Sequence, residues 1–168
     1  MCYNLQNFYN AWYKKQLMKE LKLSRIVSGG QTGADVAGLE AAIQLGLQTG
    51  GRVPKDFRTE KGPMPVLGER YGLIETESRD YRDRTGSNII ASDGTVIFGD
   101  IDSAGSKFTF GYCTSYSKPV ICNPTKEQFL KFLRDKEIVV LNVAGNRESK
   151  NPGIYERTFK FLMDALKV

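Results

Sequence analysis

The stretch RIVSGGQTGADVAGLEAAIQLG, residues 25–46, joins a short apolar run to a helical repeat through Gly29, Gly30 and Gly33. Its first part belongs to an expected strand, LSRIVS over 23–28. Its second predicts a helix over 34–46, with Val36, Leu39, Ile43 and Leu47 along one face. The same alternation recurs downstream. Strands are expected at 94–99 (GTVIFG), 118–122 (KPVIC) and 138–145 (IVVLNVAG), and helices at 125–136 and 152–167. Asn151 followed by Pro152 gives the last helix its start signal. Strands alternating with helices predict an α/β sandwich with a mainly parallel sheet. Residues 48–92, rich in Gly, Pro, Arg and Glu, have weak periodicity and read as a long irregular excursion.

A glycine turn between a strand and a helix gathers unpaired backbone N–H groups at the positive end of the helix dipole, a point that attracts anions. Glycines let the backbone approach a ligand closely. Thr32 adds a hydroxyl and Gln31 an amide. The spacing is neither GxGxxG nor GxxxxGK[ST], so the dinucleotide and P-loop fingerprints do not apply. Asp35, in the first helical turn, either stabilises the dipole or meets polar donors of a ligand. A second turn follows the strand at 94–99, where Gly105 and Ser106 open another helix as an anion turn or as an ordinary N-cap. In a parallel sheet, two such turns can face one crevice and clamp a phosphate. On this reading Gly30→Asp abolishes ligand binding and spares the fold.

The 168 residues fit a domain at 23–168 with a core of its own, preceded by an extension at 1–22. In that extension Leu5, Tyr9, Tyr13, Leu17 and Leu21 recur at helical spacing, with Phe8 and Trp12 alongside. Met18 also makes a natural start, which would set the upstream residues aside. Cys2, Cys113 and Cys122 have no paired spacing and suit reduced thiols in a cytoplasmic protein. The chain has no histidine, which excludes Ser/His and Cys/His nucleophile pairs and imidazole metal sites, so no protein-built metal site is expected. No run of 18 apolar residues predicts a membrane span. The net charge of +5 fits an anionic ligand, while the scattered Lys and Arg form no nucleic-acid motif.

Several blocks in order carry a resemblance: SGGQTGADVAGLEAA (28–42), GGRVPKDFRTEKG (50–62), the run from Tyr81 to Asn88, SDGT (92–95), Lys118-Pro119 and NVAGNRESKNPGI (142–154). Over residues 25–168 the chain resembles the molybdenum-cofactor carrier family, itself similar to the lysine-decarboxylase-like phosphoribohydrolases. The resemblance implies a Rossmann-like three-layer sandwich and a pocket over the strand ends. It implies the molybdenum cofactor (molybdopterin) as bound ligand, a homo-oligomer, and a molybdoenzyme acceptor. Carried onto this chain, Gly29, Gly30, Gln31, Thr32 and Gly33 would supply anion donors, with Gly105 and Ser106 opposite. Arg52, Lys55 and Arg58 would neutralise charge from the pocket wall, although PKDFR here replaces the PKGR of many relatives. Arg84, Thr85 and Asn88 would orient the pocket from the side, and Arg147 would act with Glu148 as an internal partner. The phosphoribohydrolase pattern PGGxGTxxE places a catalytic glutamate where this chain has Thr109. A carrier without chemistry is therefore the first reading. A nucleotide-binding or nucleotide-processing protein, with Glu60, Asp93 or Asp35 as acid-base group, is the alternative. A third is an interaction module that recruits a partner through its N-terminal helix.

Overall fold

The computed structural model describes residues 21–167. The helix expected over 1–22 lies outside the described residues, apart from Leu21 and Lys22. Leu21 packs partly buried against the main core. The elements run β1 (Arg25–Val27), α1 (Ala34–Gln44), β2 (Gln48–Val53), a 3-10 turn (Lys55–Phe57), β3 (Arg58–Thr59), β4 (Gly62–Pro63), α2 (Val66–Tyr71), β5 (Leu73–Glu75), α3 (Tyr81–Ile90), β6 (Gly94–Phe98), α4 (Ala104–Ser115), β7 (Val120–Cys122), α5 (Lys126–Asp135), β8 (Val140–Gly145) and α6 (Ile154–Leu166).

Six strands form one parallel sheet in the order β5-β2-β1-β8-β6-β7, and β3 and β4 make a separate small hairpin. Helices flank this Rossmann-like sheet as the α/β pattern predicts. Strand β8 is the centre, paired with β1 on one side and β6 on the other. Alternation along it divides its side chains. Leu141 and Val143 enter the main core with α1, α5 and α6, while Asn142 and Ala144 face the layer of α3 and α4. A smaller core of Leu39, Val53, Leu67, Tyr71 and Leu73 seals α2 over the β2–β5 edge.

Three sequence expectations give way here. Of the expected line of Val36, Leu39, Ile43 and Leu47, Leu39 is fully buried and Val36 and Leu47 are partly buried, but Ile43 is not, and most of the buried face of α1 is alanine. Ala34, Ala37, Ala41 and Ala42 are fully buried, whereas Ile43 is 39% exposed. The cause is close approach: a Cβ on Gly38 would lie 2.7 Å from the Val143 side chain, so only small residues fit. Residues 48–92 hold two sheet strands and two helices instead of an irregular excursion. They were hidden because β2 needs glycine where other chain segments cross it. A Cβ on Gly50 would meet the Arg25 guanidinium at 2.1 Å, and one on Gly51 the Ser28 carbonyl oxygen at 2.2 Å. Finally, α6 begins at Ile154, beyond Asn151 and Pro152. Its first N–H groups are taken by Glu148, whose carboxylate accepts from the amides of Gly153 and Tyr155.

Candidate functional site

From β1 the chain steps outward through β2 to β5, returns to β6 and steps outward again to β7, leaving β8 to fill the middle. This reversal opens a crevice at the carboxyl ends of the strands. A cavity of about 390 Å³ lies there, with Asn142, Ala144 and Gly145 of β8 below and α3 and α4 on either side. Tyr81, Arg82, Arg84, Thr85 and Asn88 come from α3. Ala104, Gly105, Phe108 and Thr109 come from α4, and Gln31, Asp35 and Arg147 complete the wall.

Arginine dominates the charge. The guanidinium carbons of Arg147, Arg58 and Arg84 lie 4.9, 5.4 and 5.9 Å from the Tyr81 ring centre, so three cations gather around one aromatic ring. Asp35 is the one carboxylate among the described residues lining the cavity. It is buried, lies 3.0 Å from Arg84 Nη1 and accepts a bond from the Gln31 amide. Burial pushes its carboxyl above the ordinary aspartate value, against the pull of Arg84. Arg84 in turn spans the turn above Gly29, where a Cβ would lie 1.5 Å from its Nη1.

The first glycine turn does not present all its donors to one ligand. Its residues divide between two cavities: Gln31 lines the one just described. Gly30, Thr32 and Gly33 line another of about 500 Å³, walled by Val36, Met64 and Tyr71. The Gln31 N–H donates to Asp35, the Thr32 N–H to Gln31 Oε1 at 3.1 Å, and the Ala34 N–H to the Asn146 carbonyl. The Thr32 hydroxyl donates to Glu60, which also accepts from the Ser149 hydroxyl, while the Glu60 amide donates to Gln31 Oε1. Glu60 thereby straps the β3–β4 hairpin onto the turn. Burial works against its ionisation, but Ser149, Thr32 and the charge of Arg147 outweigh it and hold the carboxyl below the ordinary glutamate value. Gly30 has φ +68°, and a Cβ there would press on Leu73 and Val53. Gly30→Asp would therefore force a carboxylate against buried apolar groups and cost the fold, contrary to the expectation from sequence.

The remaining expected residues scatter. Gly105 lines the cavity, whereas Ser106 is buried and its hydroxyl accepts from that of Ser103. Thr85 and Asn88 line it too. Thr85 donates to the Tyr81 carbonyl, and Asn88 holds β2 by two bonds to the Arg52 backbone. The Arg52 residue and Lys55 are exposed and line neither cavity, while Arg58 reaches the site through Tyr81. Asp93 sits before β6, at the amino-terminal end of the strands, and accepts from the amides of Val139 and Val140. Sequence reasoning missed Arg82, Phe108, Asn142 and the wall role of Tyr81. For Asn142 a signal existed: one carboxamide within the apolar run VVLNVAG. Among the described residues no group of three or more His, Cys, Asp or Glu is placed to hold a metal ion, and no helix is long and apolar enough to cross a membrane.

Gly105 offers a selective probe. No atom lies within 4 Å of where its Cβ would be, so Gly105→Ala adds a methyl at the cavity wall without a clash. Gly105 lies in the first turn of α4, where alanine is favoured over glycine by at most the helix-interior value of about 0.5–1 kcal/mol. Chemical denaturation is therefore expected to show a slightly more stable protein, and an unfolding midpoint below that of the parent would contradict this placement.

Fold and cavity together define a Rossmann-like α/β protein with an arginine-rimmed crevice at its strand ends. The chain belongs to the circularly permutated YpsA SLOG family, whose model matches residues 26–166. It is also similar to a crystal structure from Syntrophus aciditrophicus SB, described as a "putative molybdenum carrier protein". The two chains are 35% identical with a TM-score of 0.81, over 88% of this chain and 97% of that one. No curated protein matches the chain.

Proposed function

We propose that this protein binds and carries the molybdenum cofactor or a related phosphate-bearing pterin in the cytoplasm, without chemistry on it. The observation that supports this most is the arginine group around Tyr81 on a cavity walled by Tyr81 and Phe108. A flat heterocycle finds aromatic surface there, and a phosphate finds guanidinium groups suited to bidentate contact. Two features speak for carriage over hydrolysis. Thr109 lines the wall where the phosphoribohydrolase pattern has its glutamate, and its hydroxyl donates to the Gly105 carbonyl. Asp35, the carboxylate at hand, is committed to Arg84. The name of the Syntrophus relative agrees with a carrier role. Carriage also implies a molybdoenzyme acceptor. The exposed Phe110 of α4 and Tyr116 just after it, with Ile101 before the helix, suit burial between copies in a homo-oligomer.

The cargo brings its own metal, so the task of the chain is to hold the anion and shelter the ring. Gel filtration with purified molybdenum cofactor, scored by molybdenum and pterin in the protein fraction, is expected to show near-stoichiometric retention that AMP does not displace. Arg147→Ala should weaken retention about 10- to 100-fold, the value of one charge-assisted contact, with the protein still folded. Displacement by AMP would favour the nucleotide reading of the same crevice, and absence of retention would reject the carrier.

A further inference from the structure

Two carboxamides line the inner wall of the cavity, and the bonds each makes leave it one open function. Gln31 is 4% exposed. Its Oε1 accepts from the amides of Thr32 and Glu60, at 3.1 and 2.9 Å, which fixes that oxygen toward the backbone. Its Nε2 is buried without a partner. An unpartnered buried donor is costly and is rare enough in folded proteins to require an explanation. Asn142 is 3% exposed, and its Nδ2 donates to Thr95 Oγ1 at 3.2 Å. That bond commits the Asn142 nitrogen to Thr95 and leaves Oδ1 as the acceptor of the carboxamide for the cavity.

We infer that Gln31 Nε2 and Asn142 Oδ1 read the ring edge of the ligand, and that the ligand is a phosphate-bearing lactam heterocycle, a ring C=O beside a ring N–H. This rests on the proposal that the arginine-rimmed cavity binds a phosphorylated heterocycle. The donor on Gln31 meets the carbonyl oxygen and the acceptor on Asn142 meets the ring N–H. Pterins, hypoxanthine and guanine share this edge. Adenine presents the reverse order, an amino donor beside a ring acceptor, and would set donor against donor and acceptor against acceptor. Discrimination of this kind is strong because the wrong ring leaves buried polar groups unpaired.

The test compares inosine 5′-monophosphate with AMP, which share ribose and phosphate and differ in this edge, with ribose 5-phosphate as a probe of the anion alone. Calorimetric titration of the unaltered chain is expected to show inosine monophosphate binding about 10- to 100-fold more tightly than AMP. Gln31→Glu keeps Oε1 for Thr32 and Glu60 but turns the donor into an acceptor. It should bring the ratio of the two affinities to one or below, even as the added charge weakens both. Equal binding of the two nucleotides by the unaltered chain, with ribose 5-phosphate competing, would overturn the ring-edge assignment and leave the anion site standing. Failure of all three probes to bind, with molybdenum cofactor still retained on gel filtration, would overturn this inference and leave the carrier reading standing.

Discussion

Arg84→Met is expected to lower the unfolding free energy by about 3–5 kcal/mol at pH 7, because it leaves the Asp35 carboxylate buried without its cation. The loss should depend on pH in a definite direction. An unfolded aspartate ionises near pH 3.9, whereas burial raises the value for Asp35 in the fold, and more so once Arg84 is gone. Between those two values the folded chain holds the proton more firmly than the unfolded chain. Stability of the variant therefore falls as pH rises from about 4, and its deficit against the parent shrinks on acidification. Adding Asp35→Asn to Arg84→Met should recover part of the loss at pH 7, since the ionisable group is then gone. Urea denaturation at pH 4.5 and 7 measures all of this. A single variant as stable as the parent, with no pH dependence of the difference, would mean that the pair is not buried as described.

The second large effect concerns Gly33. Its φ is +83°, and a Cβ would lie 2.4 Å from the Asn146 carbonyl oxygen and 2.8 Å from the Glu148 nitrogen. Both are backbone atoms, so no rotation of a side chain relieves the contact. Strained torsion and overpacking together give an expected cost of about 2–5 kcal/mol for Gly33→Ala. The damage falls on the junction of the glycine turn with the β8–α6 loop, where the Ala34 N–H meets Asn146 and the Glu148 N–H meets the Thr32 hydroxyl. Thermal unfolding of Gly33→Ala beside Gly105→Ala separates the two kinds of glycine: one is required by its neighbours and the other is free of them. Equal stability of the two variants would remove that distinction.

The contrast marks what could be read without coordinates. Alternating apolar runs set the parallel α/β sandwich, because each main strand and helix had a period of its own, and the strands at 23–28, 94–99, 118–122 and 138–145 fall within two residues of β1, β6, β7 and β8. Glycine-interrupted β2 and the short β5 escaped, since their pairing is dictated by neighbours far away in the chain. Of the site, the two glycine turns are legible as special, but the division of the first between two cavities is not. The Thr32–Glu60 and Gln31–Glu60 bonds join residues almost thirty positions apart, and nothing local announces them. Asp35 was left between two roles by the sequence. Its partner Arg84, 49 positions on, decides in favour of a third.

The central place of β8 has a consequence for how the protein is made. Until residues 140–145 are synthesised, β5-β2-β1 and β6-β7 are two half-sheets, each with an open inner edge. Such edges invite pairing with other chains. The last strand out of the ribosome closes both at once and supplies the cavity floor through Asn142, Ala144 and Gly145. Nascent chains stalled before residue 140 therefore lack the crevice altogether, and no ligand of the crevice can stabilise them.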